Sequence, residues 1–131
     1  MALPVRKKQF ELDGAKFTIA PLTYDEMEEY SRRVKETNEK RIALKLEDDQ
    51  PIPEDMRKEM RLNAFYLICR GLNNAGAEPE ITPAILSAEI DDVLGAALAT
   101  EILQFNGLKV PSGIELANRL RSPEGETPAS S

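Results

Sequence analysis

Phe10–Val34 reads FELDGAKFTIAPLTYDEMEEYSRRV and writes two structural elements with the joint between them. Phe10, Leu12, Phe17 and Ile19 alternate with polar residues about Asp13-Gly14, the period-2 pattern of a two-stranded hairpin with turn chemistry at its tip. Pro21 stops the second strand. Thr23-Tyr24-Asp25-Glu26 then forms a capping box, in which the Thr23 hydroxyl and the Glu26 carboxylate satisfy backbone N–H groups that a helix start leaves unpaired. Leu22 and Met27 have the spacing of a hydrophobic staple around that cap. A hairpin feeding an acidic, tightly capped helix has the shape of a docking module, and it contains no element of an active site.

Outward from this segment the chain is mostly helical. The first helix is expected from Tyr24 to near Leu44, with Tyr24, Met27, Tyr30 and Val34 as a narrow apolar stripe. Glu28 and Arg32, Glu29 and Arg33, and Glu36 and Lys40 are spaced as acid-before-base i,i+4 pairs on its exposed face. Two prolines and a run of acids make Glu47–Pro53 a loop. Pro53 suits the first turn of a second helix, whose segment Ala64–Cys69 is apolar on nearly every side and marks the centre of the core. Arg70 among such neighbours requires a carboxylate partner. Asn73-Asn74-Ala75-Gly76 ends this helix with residues that tolerate a left-handed cap. Thr82-Pro83 offers another start, Asp91 or Asp92 caps an apolar helix to about Asn106, and Ser112 with Glu115 repeats the capping-box spacing before a weak helix to about Leu120.

The predicted fold class is therefore α+β and mostly helical: a short N-terminal β-hairpin followed by three to five helices packed as one small domain. Residues 9–109 form that domain, residues 1–8 a flexible N-terminus, and residues 110–131 a weak helix and a disordered C-terminal tail, since SPEGETPASS from Ser122 has no aliphatic anchor. With 131 residues, 41% of them hydrophobic, one core of ordinary size is within reach.

The Phe-Thr-Ile strand, the sequence Pro-Leu-Thr-Tyr-Asp-Glu and the charged helix after it resemble the N-terminus of the tail assembly chaperones of long-tailed bacteriophages. The layout that follows is similar too, over residues 9–109: LNAFYLICRGLNNAG from Leu62, ITPAILSAEID from Ile81, and DVLGAALATEILQFNGL from Asp92. The resemblance implies a cytoplasmic protein that binds the tape measure protein, keeps it soluble, and helps recruit tail tube protein, while being absent from the mature virion. It also implies, in many relatives, a ribosomal frameshift that appends a second domain to some copies. A structural head-tail joining or tail completion protein of the virion is the alternative of similar size and helix content.

Charge and composition narrow the function classes. The chain carries 17 basic and 23 acidic side chains, and no base falls between Arg70 and Lys109. Only Arg6-Lys7-Lys8 form a basic run, so a nucleic-acid partner is not expected. No apolar run reaches the length of a membrane span, and the start lacks a signal-peptide core. Histidine is absent and Cys69 is the lone cysteine, in an apolar run; a buried thiol is expected, and no enzyme, metal, cofactor or small-molecule substrate. In the helix from Asp92, residues Leu94, Ala96, Leu98, Ala99, Ile102, Leu103 and Phe105 cover an arc wider than one neighbour can bury. That surplus implies either burial between several elements or an intermolecular contact, with Leu94, Leu98, Ile102 and Phe105 as candidate partner-binding residues and a homo-oligomer as one use of the face.

Overall fold

The computed structural model describes residues 5–121. An antiparallel hairpin of β1 (Lys8–Leu12) and β2 (Ala15–Ile19) is followed by five helices: α1 (Tyr24–Ala43), α2 (Glu54–Asn74), α3 (Pro83–Glu89), α4 (Asp92–Phe105) and α5 (Gly113–Arg121). This is the mostly helical α+β fold expected from the sequence. The tail from Ser122 lies outside the described residues.

Each boundary has a local cause. Asp13 and Gly14 hold φ of 55° and 85°, the double positive φ of a type I′ turn whose twist suits paired strands, and Leu12 stands opposite Ala15. At the start of α1, Thr23 N donates to Glu26 Oε1 at 2.8 Å and Glu26 N donates to Thr23 Oγ1 at 3.2 Å, so the capping box is complete. Pro53 stands at the N-cap of α2, one place before the first turn. Thr82 caps α3, Asp91 caps α4 by accepting from Leu94 N at 2.8 Å, and Ser112 with Glu115 closes a second box on α5. Helices α2 and α4 both end in a Schellman turn, at Gly76 and Gly107, with Ala77 N on Leu72 O and Leu108 N on Leu103 O. Asn73 and Asn74 are the last residues of α2 rather than its left-handed cap; their side chains serve elsewhere, as described below.

The core is arranged around α4. No residue from Val93 to Asn106 is exposed, because α2, α5 and the β1 strand pack against this helix from different sides. Leu67 and Ile68 of α2, Leu98 and Ile102 of α4, and Ile19 of β2 are wholly buried at the centre. Ala97 and Glu101 lie outside the apolar arc read from the sequence, yet both are buried. Helix α5 belongs to this core, beyond the boundary at 109: Ala117 is fully buried, and the Gly113 backbone lies so close to β1 and α4 that a Cβ there would stand 2.5 Å from Ala97 O and 2.9 Å from the Phe10 ring. Arg6 and Lys8, assigned to a flexible terminus, lie against the Phe105 ring, and Lys8 is part of β1.

Helices α1 and α2 form a hairpin whose seam is polar. Thr37, 3% exposed, donates to Glu59 Oε2 at 2.6 Å and accepts from Asn63 Nδ2 at 2.8 Å. Lys40 Nζ joins the same Glu59 at 3.0 Å, in place of the expected pairing with Glu36. Arg32 bridges Glu29 and Glu36 rather than Glu28, since its i−3 and i+4 neighbours both reach its planar fork. Tyr24, read as part of the apolar stripe, is 79% exposed; only Met27, Tyr30 and Val34 of that stripe are half-buried.

Candidate partner-binding grooves

The four residues singled out on α4 do not form an exposed face. Leu98 and Ile102 are fully buried, and Leu94 and Phe105 are half-buried against the core. The Phe105 ring carries the Arg6 guanidinium 5.0 Å and the Lys8 ammonium 5.9 Å from its centroid, so the basic N-terminal strand covers it. Of the two explanations for the wide apolar arc, burial between several elements is the one realised. Glu101 supports that arrangement: its carboxylate sits 2.5 Å from Lys8 Nζ and accepts from Gly113 N at 2.8 Å, tying β1 and the start of α5 to α4.

A groove of about 490 Å³, lined by apolar side chains with charged ones at its edges, lies between β2 and α3. Phe17 contributes one wall; Leu72 and Ala77 at the end of α2, Ile81, Ile85 of α3 and Ile90 complete it. The connection that carries Ile81 is held by Asn73, whose amide both accepts from Ile81 N at 2.8 Å and donates to Ile81 O at 2.9 Å. This side chain imitates a backbone partner and sets where α3 begins. Lys7 and Lys16 edge the groove on the hairpin side, and Glu78 and Glu89 edge it on the other. Strand β2 pairs with β1 alone. With Leu12 and Ala15 flanking the turn, the backbone groups of Lys16 and Thr18 point away from β1, along the groove.

A second cleft, of about 570 Å³, runs between α2 and the start of α4. Arg57, Met60, Arg61 and Ala64 form its α2 side, and Asp91, Asp92, Gly95 and Ala96 its α4 side. Ile90 lines both this cleft and the β2–α3 groove, so the α3–α4 joint is a shared wall. A wider depression, about 630 Å³, lies along α1 by Tyr24, Met27 and Arg32, but one helix face alone borders it and nothing opposes that face.

The charged groups inside the fold act on its own backbone. Glu26 is pulled in opposite directions: burial raises its pKa, but hydrogen bonds from Thr23 and Asn74 and the charge of Arg70 outweigh that, and the net shift is downward. Arg70 lies 3.3 Å from Glu26 and 3.9 Å from Glu80, which supplies the carboxylate partner expected for it. Asn74 donates to Glu26 Oε1 at 2.8 Å and to Pro21 O at 3.2 Å. Burial pushes the Cys69 thiol up, away from the thiolate that a nucleophile needs. Among the described residues no cluster of three His, Cys, Asp or Glu side chains is placed to hold a metal ion, and no helix is long and apolar enough to cross a membrane.

Comparison of the chain with protein-family models, with curated proteins and with solved structures finds no match.

The groove was missed by sequence reasoning because Ile81, Ile85 and Ile90 sit in a stretch whose charges are all acidic and whose only strong signal is the helix start at Thr82-Pro83. The available signal was their persistence as large aliphatics among Glu78, Glu80, Glu89 and Asp91, where a solvated linker needs none.

Proposed function

We propose that this chain is a non-enzymatic assembly chaperone of the phage-tail type, which masks an apolar segment of a tape measure protein and helps recruit tail tube protein around it. The observation that carries the reading is the β2–α3 groove, where Phe17, Leu72, Ile81, Ile85 and Ile90 line one depression together with Lys7, Lys16, Glu78 and Glu89. A client held there gains affinity from apolar burial, whereas rim charges, screened beyond about 8 Å at physiological salt, chiefly steer the encounter. The fold order, a hairpin leading into a boxed helix, agrees with the resemblance seen in the sequence. In this reading the protein works in the host cytoplasm and leaves before the virion is finished.

Coexpression with a phage tape measure protein tests it. The wild-type chain is expected to keep the client soluble, and Ile85→Asp to fold normally while failing to do so. Retained solubilisation by Ile85→Asp would remove the groove from the mechanism. Detection of the chain by mass spectrometry in finished particles would instead favour a structural joining or tail completion protein.

A further inference from the structure

The cleft between α2 and α4 differs from the β2–α3 groove in how its charges are divided. Arg57 and Arg61, one turn apart, stand on the α2 ridge, and Asp91 and Asp92 stand across the cleft at the start of α4. Among the described residues none of these four side chains is ion-paired, so the two rims face each other across open space. Both arginines and both aspartates are exposed. Between them Met60 projects from α2, 42% exposed, and the α4 wall is made of the small residues Gly95 and Ala96.

We infer that this cleft is a two-fold interface with a second copy of the chain. Rotation by half a turn about an axis running along the cleft, in the plane of its mouth, brings the α2 ridge of one copy over the Gly95–Ala96 wall of the other. Each pair of arginines then faces the other copy's aspartates, and the same contact is made twice, as an isologous interface requires. Ridge into groove is a favourable packing for helices, and small residues let the ridge approach. A cleft edged with one sign of charge would repel its own copy; opposite signs on opposite walls make it complementary to itself. The interface uses neither the floor of the β2–α3 groove nor the client, so it stands or falls separately from the proposed chaperone role.

Sedimentation velocity of the full chain across a wide concentration range is the test. The wild type is expected to pass from monomer to dimer, with association about tenfold tighter at low than at high salt, because the contacting charges are exposed and screened. Arg57→Glu with Arg61→Glu, and separately Asp92→Lys, should each give a monomer with unchanged helicity; Asp91 is left intact because it caps α4. An equimolar mixture of the two variants should form a heterodimer by restoring opposite charges across one of the paired contacts. A wild type that stays monomeric throughout overturns the proposal without any variant. So does a dimer that both charge reversals leave intact, or a mixture of folded variants that remains monomeric. Client solubilisation measured on the same samples reports on the β2–α3 groove independently.

Discussion

Glu26 of α1 and Arg70 of α2 meet at 3.3 Å, and the same carboxylate closes the α1 capping box and receives the Asn74 amide. One side chain thus fixes where α1 starts and how it lies against the end of α2. Replacing Glu26 by Ala should cost about 1–3 kcal/mol, because the Arg70 charge and the Thr23 N–H lose a partner together. Thermal unfolding of the variant measures it.

The same residue sets a pH dependence. Its folded pKa lies below its unfolded value, so its contribution is fully present above the ordinary carboxylate range and is lost as pH falls through the depressed folded value. Glu26→Gln is expected to flatten the stability profile below about pH 4.5 relative to wild type. Denaturant titrations at a series of acid pH values would show the difference, and identical slopes in the two proteins would contradict it.

Thr37→Val tests the polar seam of α1 and α2. The substitution keeps the shape but removes the hydroxyl that joins Glu59 to Asn63, leaving the Asn63 amide with only a long contact to Arg33 O at 3.4 Å. A loss of about 1–3 kcal/mol is expected, since an unsatisfied buried polar group forfeits its hydration. Thr37→Ser should recover most of it.

Gly113→Ala should destabilise the fold although alanine favours helices. The added Cβ would collide with Ala97 O, a backbone atom, and with the Phe10 ring, so α5 must shift. Overpacking of this kind costs about 1–3 kcal/mol. A melting temperature equal to that of the wild type would mean that α5 tolerates displacement.

Leu98→Asp is expected to unfold the chain altogether. Leu98 is fully buried, and a carboxylate there has no partner within the core. Circular dichroism settles the outcome: retained helicity would return Leu98 to the surface role that its sequence position first suggested.

Cys69 gives a direct probe of opening. The residue is 6% exposed and its thiol pKa is raised by burial, so a thiol reagent at mildly alkaline pH should react slowly with the native protein and rapidly after unfolding. Fast labelling under native conditions would contradict the core described here.

The hairpin, the boxed helix and the starts at Thr82, Asp91 and Ser112 were legible because each rests on local chemistry: a turn dipeptide, a hydroxyl and a carboxylate three residues apart at Thr23 and Ser112, a threonine before proline at Thr82, or a capping carboxylate at Asp91. Those signals need no knowledge of the rest of the chain. The candidate site was not legible in the same way. Whether Leu98 and Ile102 face a partner or the core depends on how many elements surround α4, and that number is set by β1 and α5, at opposite ends of the sequence. Glu101 reads as a surface residue until Lys8 and the Gly113 N–H, from those same two elements, are found beside it. The β2–α3 groove likewise depends on long-range placement: Asn73 holds Ile81 beside the end of α2, where it lines the same depression as Phe17, and no period-2 or 3.6 pattern encodes that.

The close approach of Gly113 to Phe10 has a consequence for synthesis. The strand that contains Phe10 leaves the ribosome first, yet the helix that covers it is translated roughly 100 residues later, about 5–20 s at ordinary elongation rates. Until then α4 lacks the neighbour that encloses its far side, and Ala97 faces water or whatever nascent chain is nearby. The N-terminal hairpin can form early as a local unit, but the buried state of α4 is available only to a chain translated through α5.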